Sequence, residues 1–237
     1  MRIVVSGAGA AAIACAKLYC DLGAKHENIV MTDSKGVITV DRTDLNDMKR
    51  EFATTRTELH TLADAMRGAD VFVGLSKGGM VSQEMVRSMA ARPIIFALAN
   101  PTPEISYEEA KAANPEVLMS TGRTDYPNQI NNVLAFPYIF RGALDTHATA
   151  INGAMELAAT RAIAALAKQP VPDYVNEAYG TTGLTFGSDY FIPKPVDRRL
   201  IVEVSTAVAR AAIESGVARH TITDWDAYAA HLTSLLD

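Results

Sequence analysis

Residues 7–12 read GAGAAA, directly behind an apolar run at 3–6 and at the head of a helical stretch over about 10–23. Glycine at 7 and 9 with a small residue at 12 has the G-x-G-x-x-G/A spacing of a dinucleotide-binding turn. Gly7 would make the tight turn. Gly9 would let the backbone approach a pyrophosphate at the helix N-terminus, where free N–H groups and the helix dipole favour an anion. Ala12 needs only to be small, because that position packs helix against strand. An ordinary strand-to-helix turn can look the same, so context decides. Asp33 supplies it, closing the next strand about 20 residues beyond the turn, where a carboxylate can accept from both ribose hydroxyls of an adenosine. That feature favours NAD. Ser34 and Lys35 follow at once, a hydroxyl and a cation able to hold a 2'-phosphate if their loop turns inward, and they favour NADP.

Three further loops carry chemistry-bearing side chains. GLSKGGMV (74–81) sets Ser76 among glycines that let backbone pass close to a cofactor. ALANPTPEIS (97–106) puts Asn100 at a strand tip, with Pro101 and Pro103 stiffening the chain behind it. TGRTDYPNQINNVLAFPYIFRGALD (121–145) holds Asn131 and Asn132 at an otherwise apolar helix start. A side-chain amide offers directional hydrogen bonds to a carboxylate or carboxamide without adding charge. It also commonly serves as a cap.

The elements that must position these loops are legible in the hydrophobic pattern. Apolar runs at 3–6, 28–32, 70–76, 93–100 and 117–121 read as strands, with helices at about 10–23 and 81–90 and a polar, weakly helical region at 43–67. Strands that are apolar throughout suit a parallel sheet buried on both faces. Their alternation with helices predicts an α/β, Rossmann-like doubly wound parallel sheet. Beyond it, helices are expected at about 148–168, 198–215 and 224–236, with a proline- and glycine-punctuated stretch at 170–195. The expected division is a core at 1–145 and C-terminal helices at 146–237 packing on the same domain.

Composition narrows the partners. A formal net charge of -5 in 237 residues leaves no basic stripe for nucleic acid, and no run is long and apolar enough to span a membrane. Cys15 and Cys20 lie five apart on one helix, on different sides of it, which is poor geometry for a disulfide. Their expected state is two small hydrophobes in a reducing cytoplasm. The five histidines have no metal-ligand spacing. Asp44, Asp47 and Glu51 form an acidic patch that reads as a solvated helix face.

Together these blocks resemble bacterial malic enzymes. VVSGAGAAAIA, TDSKGVI, GLSKGGMV, ALANPTPEI, the block at 121–145 and FGSDYFIPKPVDRRL occur there in the same order, and the resemblance covers essentially the whole chain. It implies an enzyme that oxidises L-malate with NAD or NADP and decarboxylates the oxaloacetate at Mg or Mn to give pyruvate. Carried over by residue, Gly7, Gly9 and Ala12, with Ala10 and Ala11, would line the pyrophosphate and Asp33 the ribose. Ser34 and Lys35 would meet a 2'-phosphate, and TDSKGVI leans toward NADP. Ser76, Asn100 and Asn131 would lie by the nicotinamide half, with Asn100 and Asn132 reaching the substrate. The family's catalytic tyrosine and lysine and its metal carboxylates match nothing here, so the expectation is a cofactor-binding domain without catalytic or metal residues, inactive alone. The family also suggests a homodimer. The alternatives are a stand-alone dinucleotide-binding or sensing module and, less suited to the asparagine loops, an amino-acid dehydrogenase.

Overall fold

Short runs of valine, isoleucine and methionine build the first of two compact units, Met1–Pro127 and Asn128–Asp237; the computed structural model describes residues 1–236. In the first unit β1 (Ile3–Ser6) leads into α1 (Ala10–Asp21), then β2 (Ile29–Asp33), β3 (Gly36–Val37), α2 (Asp47–Glu51) and α3 (Leu62–Met66). There follow β4 (Val71–Gly74), α4 (Gln83–Ser88), β5 (Ile94–Ala97), α5 (Tyr107–Ala113) and β6 (Leu118–Thr121). One six-stranded sheet results, in the order β3-β2-β1-β4-β5-β6.

The strands are apolar throughout because both faces are covered. Val4, Val30, Phe72, Ile95 and Met119 point to one face, where Leu62 and Met66 of α3, Val86 of α4 and Ala110 of α5 close over them. Ile3, Val5, Met31, Val71 and Val73 point to the other, against Ala12, Ile13 and Ala16 of α1 and against Phe52. This is the doubly wound α/β arrangement that the sequence predicts.

One local expectation needs correction, and three short helices add to what the hydrophobic pattern marked. The sheet is not wholly parallel: β3 runs antiparallel to β2, pairing Asp33 with Gly36 and Thr32 with Val37, so Ser34 and Lys35 are the two loop residues of a tight hairpin. A two-residue strand is below what hydrophobic periodicity can register. The polar region at 43–67 holds two five-residue helices, each started by a side-chain cap: Asn46 accepts from the Lys49 N–H, and Thr61 and Asp64 form a capping box. Helix α5, which no apolar periodicity announces, begins with another capping box, Ser106 with Glu109.

The second unit is helical: α6 (Phe136–Asp145), α7 (Gly153–Leu166), α8 (Asp173–Ala178), α9 (Arg199–Glu214) and α10 (Trp225–Ser234). Leu200, Val204, Val208 and Ala212 recur every fourth residue, so one stripe of α9 faces Met155, Ala159 and Leu166 of α7. Gly142 lets α6 approach α9 closely; a Cβ there would lie 2.6 Å from the Ser205 carbonyl oxygen. The expected helix at 148–168 starts only at 153, where Asn152 accepts the Met155 N–H at 3.1 Å. The boundary between units falls after residue 127, not 145. The segment 128–145 belongs with the later helices because α6 packs its buried face into their core. Among the described residues no helix is long and apolar enough to cross a membrane.

Candidate functional site

The strand order reverses between β1 and β4, and a doubly wound sheet opens a crevice beyond the carboxyl ends of strands at such a point. A cavity of about 700 Å³ lies there, walled by the turn after β1 (Ser6, Gly7, Gly9), the β2–β3 hairpin (Asp33, Ser34, Lys35) and the loop after β4 (Leu75, Ser76, Lys77). Lys49, His60 and Leu62 complete its outer wall.

The turn after β1 is built for close approach. Gly7 has φ +122, and a Cβ there would stand 2.6 Å from the Leu75 carbonyl oxygen, so the β1 and β4 loops meet only over a glycine. The Gly7 N–H is held by the Thr32 carbonyl at 2.9 Å, tying the turn to β2. Gly9 caps α1 in extended backbone with no side-chain cap bond and no acidic residue in the first turn. The other α-helices of this unit are each capped by a side chain, from Asn46, Thr61, Ser82 or Ser106. The first-turn N–H groups of α1 have no side-chain acceptor; Ala8 and Gly9 line the cavity, whereas Ala10 and Ala11 are exposed and do not. Ala12 is 1% exposed and packs into the core beneath, so its side chain is a packing group and not part of the wall.

The hairpin side holds a network of charges that the sequence did not announce. Arg42 grips Asp33 with two nitrogens, at 2.9 and 3.0 Å, and Asp44 with two, at 3.0 and 2.9 Å. Lys49 reaches the other side of Asp33 at 2.7 Å, and the Lys35 N–H donates to it at 3.0 Å. Each Asp33 oxygen therefore accepts two hydrogen bonds, which fills the carboxylate's acceptor capacity. Burial pushes the Asp33 carboxyl up, but the Arg42, Lys49 and Lys35 hydrogen bonds outweigh it and bring the pKa down to about 2. The Lys35 ammonium pairs with Asp44 at 2.8 Å. Asp44 is also held well below the usual carboxylate range, chiefly by Arg42 and then by Lys35. The acidic patch is accordingly not a free solvated face: Asp44 belongs to this network, and Glu51 pairs with Lys17 at 2.9 Å. The three cations Lys35, Arg42 and Lys49 outnumber the two carboxylates by one.

On the opposite wall Ser76 and Ser6 share a hydrogen bond between their hydroxyls at 2.8 Å, joining the β4 and β1 loops. Asn100 is exposed at the tip beyond β5, its amide donating to the Leu98 carbonyl at 3.3 Å, and it does not line the cavity. Asn131 and Asn132 lie in the second unit. Asn131 caps the 3₁₀ turn Asn132–Leu134 by accepting the Val133 N–H at 3.0 Å, and Asn132 is exposed at the start of that turn. Helix α6 begins only at Phe136, so the amides sit before it and not inside it. Asn128, overlooked in the sequence, is buried at φ 55; its amide donates to the Ser188 carbonyl and its oxygen accepts the Phe191 N–H, both at 2.8 Å. A short polar side chain able to adopt the left-handed conformation was the available signal. Cys15 and Cys20 are both free thiols.

The position of the crevice, at the switch point of a doubly wound sheet, agrees with what the chain is similar to. Residues 1–178 match the family described as malic enzyme, NAD binding domain. The NADP-dependent malic enzyme of Haemophilus influenzae is 55% identical over 237 residues, all of this chain and 31% of its own length. That of Halomonas elongata is 57% identical over 218 residues, 92% of this chain and 51% of its own. The chain therefore spans between about a third and a half of these relatives. A malic enzyme crystal structure from Pyrococcus horikoshii superposes with a TM-score of 0.85 at 32% identity, covering 100% of this chain and 53% of that one.

Proposed function

The chain belongs to the malic enzyme family, its first 178 residues matching the family's NAD-binding domain, and from that premise we propose that it binds NADP for the oxidative decarboxylation of L-malate to pyruvate and carbon dioxide. One observation carries the choice of NADP. The Asp33 carboxylate, which would have to accept from the ribose hydroxyls of NAD, is already filled by four donors. Ribose hydroxyls reach it only by displacing one of them. A 2'-phosphate instead meets the excess cation of the network, with Ser34, Lys35 and Lys49 on the cavity wall and charge-assisted hydrogen bonds to be gained.

The rest of the wall fits the remainder of a dinucleotide. The uncapped N-terminus of α1 and the Gly9 backbone take the pyrophosphate, and the paired Ser6 and Ser76 hydroxyls stand toward the nicotinamide half. Asn100, at the tip beyond β5, is the amide proposed for the carboxamide or the substrate carboxylate. Acceptance of a hydride from the substrate is the chemistry NADP supplies when bound. This chain's residues bind and orient it. Among the described residues no three His, Cys, Asp or Glu side chains cluster to hold a metal ion.

Calorimetric titration of the chain with NADP and with NAD tests the reading. NADP should bind the more tightly. Lys35→Ala and Lys49→Ala should each weaken NADP roughly tenfold while changing NAD by less than about threefold. Equal losses for both cofactors would discard the 2'-phosphate role, and no binding of either would discard the cofactor site.

A further inference from the structure

Beyond the end of β5 the chain turns back through Thr102, Pro103 and Glu104, and Glu104 does something no surface loop requires. It is fully buried, at 0% exposure, and among the described residues no lysine, arginine or histidine forms an ion pair with it. A carboxylate taken from water without a cation is costly unless hydrogen bonds replace the water. Here two backbone N–H groups do so, one from beyond each strand tip. One oxygen accepts from Ser76, beyond β4, at 3.4 Å; the other accepts from Ala99, beyond β5, at 3.1 Å. The Glu104 main chain adds a third tie, accepting the Val81 N–H at 3.0 Å. Gly74 leaves the room for all this, since a Cβ on it would collide with the Glu104 carboxylate.

The strands β4 and β5 are paired through Gly74 and Ala97, and the Leu98 N–H still reaches the Gly74 carbonyl at 3.2 Å. Beyond that pairing the two loops stay in contact, the Gly79 N–H donating to the Pro103 carbonyl at 3.0 Å, and the Glu104 carboxylate is the side-chain clasp at the strand tips themselves. One residue beyond one N–H is Asn100. The other N–H belongs to Ser76 itself, whose hydroxyl is bonded to Ser6 at the head of the glycine turn. An acceptor-only group with two oxygens suits this place because two donors converge on it; glutamine would present an N–H to one of them.

We propose that Glu104 is a positioning residue for the cofactor site: its buried carboxylate clasps the tips of β4 and β5 and so fixes where Ser76 and Asn100 present themselves to the nicotinamide end of the dinucleotide. The inference rests on the dinucleotide reading above. It predicts an asymmetry that general support of the fold would not produce, because the adenosine end is held by the turn after β1 and the β2–β3 hairpin, neither of which touches this carboxylate.

The test compares the whole cofactor with a fragment, adenosine 2',5'-bisphosphate, which keeps the 2'-phosphate and lacks nicotinamide. Binding of each to the wild-type chain and to Glu104→Gln is measured by calorimetry, at a temperature where circular dichroism finds both proteins folded. NADP affinity should fall roughly tenfold or more in the variant, while the bisphosphate changes by less than about twofold. Parallel losses, or none, overturn the positioning role. If the wild type binds neither compound, the dinucleotide reading itself fails, which is a different result from the variant losing both. Amide exchange of the wild-type chain needs no variant: the Ser76 N–H, on an exposed residue, should be strongly protected by its bond to Glu104, and rapid exchange there would overturn the clasp.

Discussion

The same substitution two residues apart should have opposite consequences in the turn after β1. Gly7→Ala places a residue with a side chain at φ +122, in a region open essentially to glycine alone, at a conformational cost of about 1–3 kcal/mol. Its Cβ would stand 2.6 Å from the Leu75 carbonyl oxygen, so the β1 and β4 loops must part. Parting them strains the Leu75 N–H to Ser6 hydrogen bond, now 2.8 Å, which contributes about 1 kcal/mol. The expected destabilisation is therefore about 2–4 kcal/mol, a large fraction of a domain's stability. Gly9 differs. Its backbone is extended, φ -83 and ψ -177, and a Cβ there meets no atom within 4 Å. Gly9→Ala should cost about 0.5 kcal/mol as an N-cap change and yet place a methyl where the pyrophosphate must approach, weakening NADP by roughly tenfold or more. Guanidinium unfolding followed by far-UV circular dichroism reads the first effect, and calorimetric titration with NADP reads the second. A loss below about 1 kcal/mol for Gly7→Ala would refute the steric argument. Unchanged NADP affinity in Gly9→Ala would refute the placement of the pyrophosphate.

Other outcomes follow from the same geometry. Asp33 titrates near 2 in the folded chain against about 4 in an unfolded one, so its network stabilises the fold fully above about pH 4 and loses that contribution as pH falls toward 2. The amount is about 2 kcal/mol; the pH 4 to pH 2 fall in unfolding free energy should be smaller by about that much in Asp33→Asn, and an identical fall would discard the role of the network. In the second unit, Gly142→Ala gains about 1 kcal/mol of helix propensity, but its Cβ meets the Ser205 carbonyl oxygen at 2.6 Å and Val208 Cβ at 2.8 Å. Overpacking against backbone costs about 1–3 kcal/mol, so net destabilisation is expected, read by fluorescence of Trp225, the chain's single tryptophan; a stabilised variant would mean that α6 is free to move off α9.

What the sequence determined by itself was whatever one residue type enforces locally. Uniformly apolar runs at β1, β2, β4, β5 and β6 read as strands covered on both faces, and the glycines at 7 and 9 read as a tight turn opening a helix. Asp33, Ser34 and Lys35 were recognisable as the residues at the end of β2, and Gly7, Gly9, Asp33, Ser34, Lys35 and Ser76 do gather around one cavity. Tertiary structure decided how those residues are occupied. Arg42 and Lys49 lie 9 and 16 residues from Asp33 with no motif to mark them, and only the antiparallel turn of β3 swings the following chain back so that both cations close on one carboxylate. Glu104 read as one more polar residue in a proline-rich loop; its burial, and its grip on N–H groups 28 and 5 residues away, exist only once β4 and β5 lie side by side. Local sequence sets backbone conformation because sterics act between neighbours, whereas the charge state and hydrogen-bond partners of a side chain depend on atoms that folding alone brings within 3 Å.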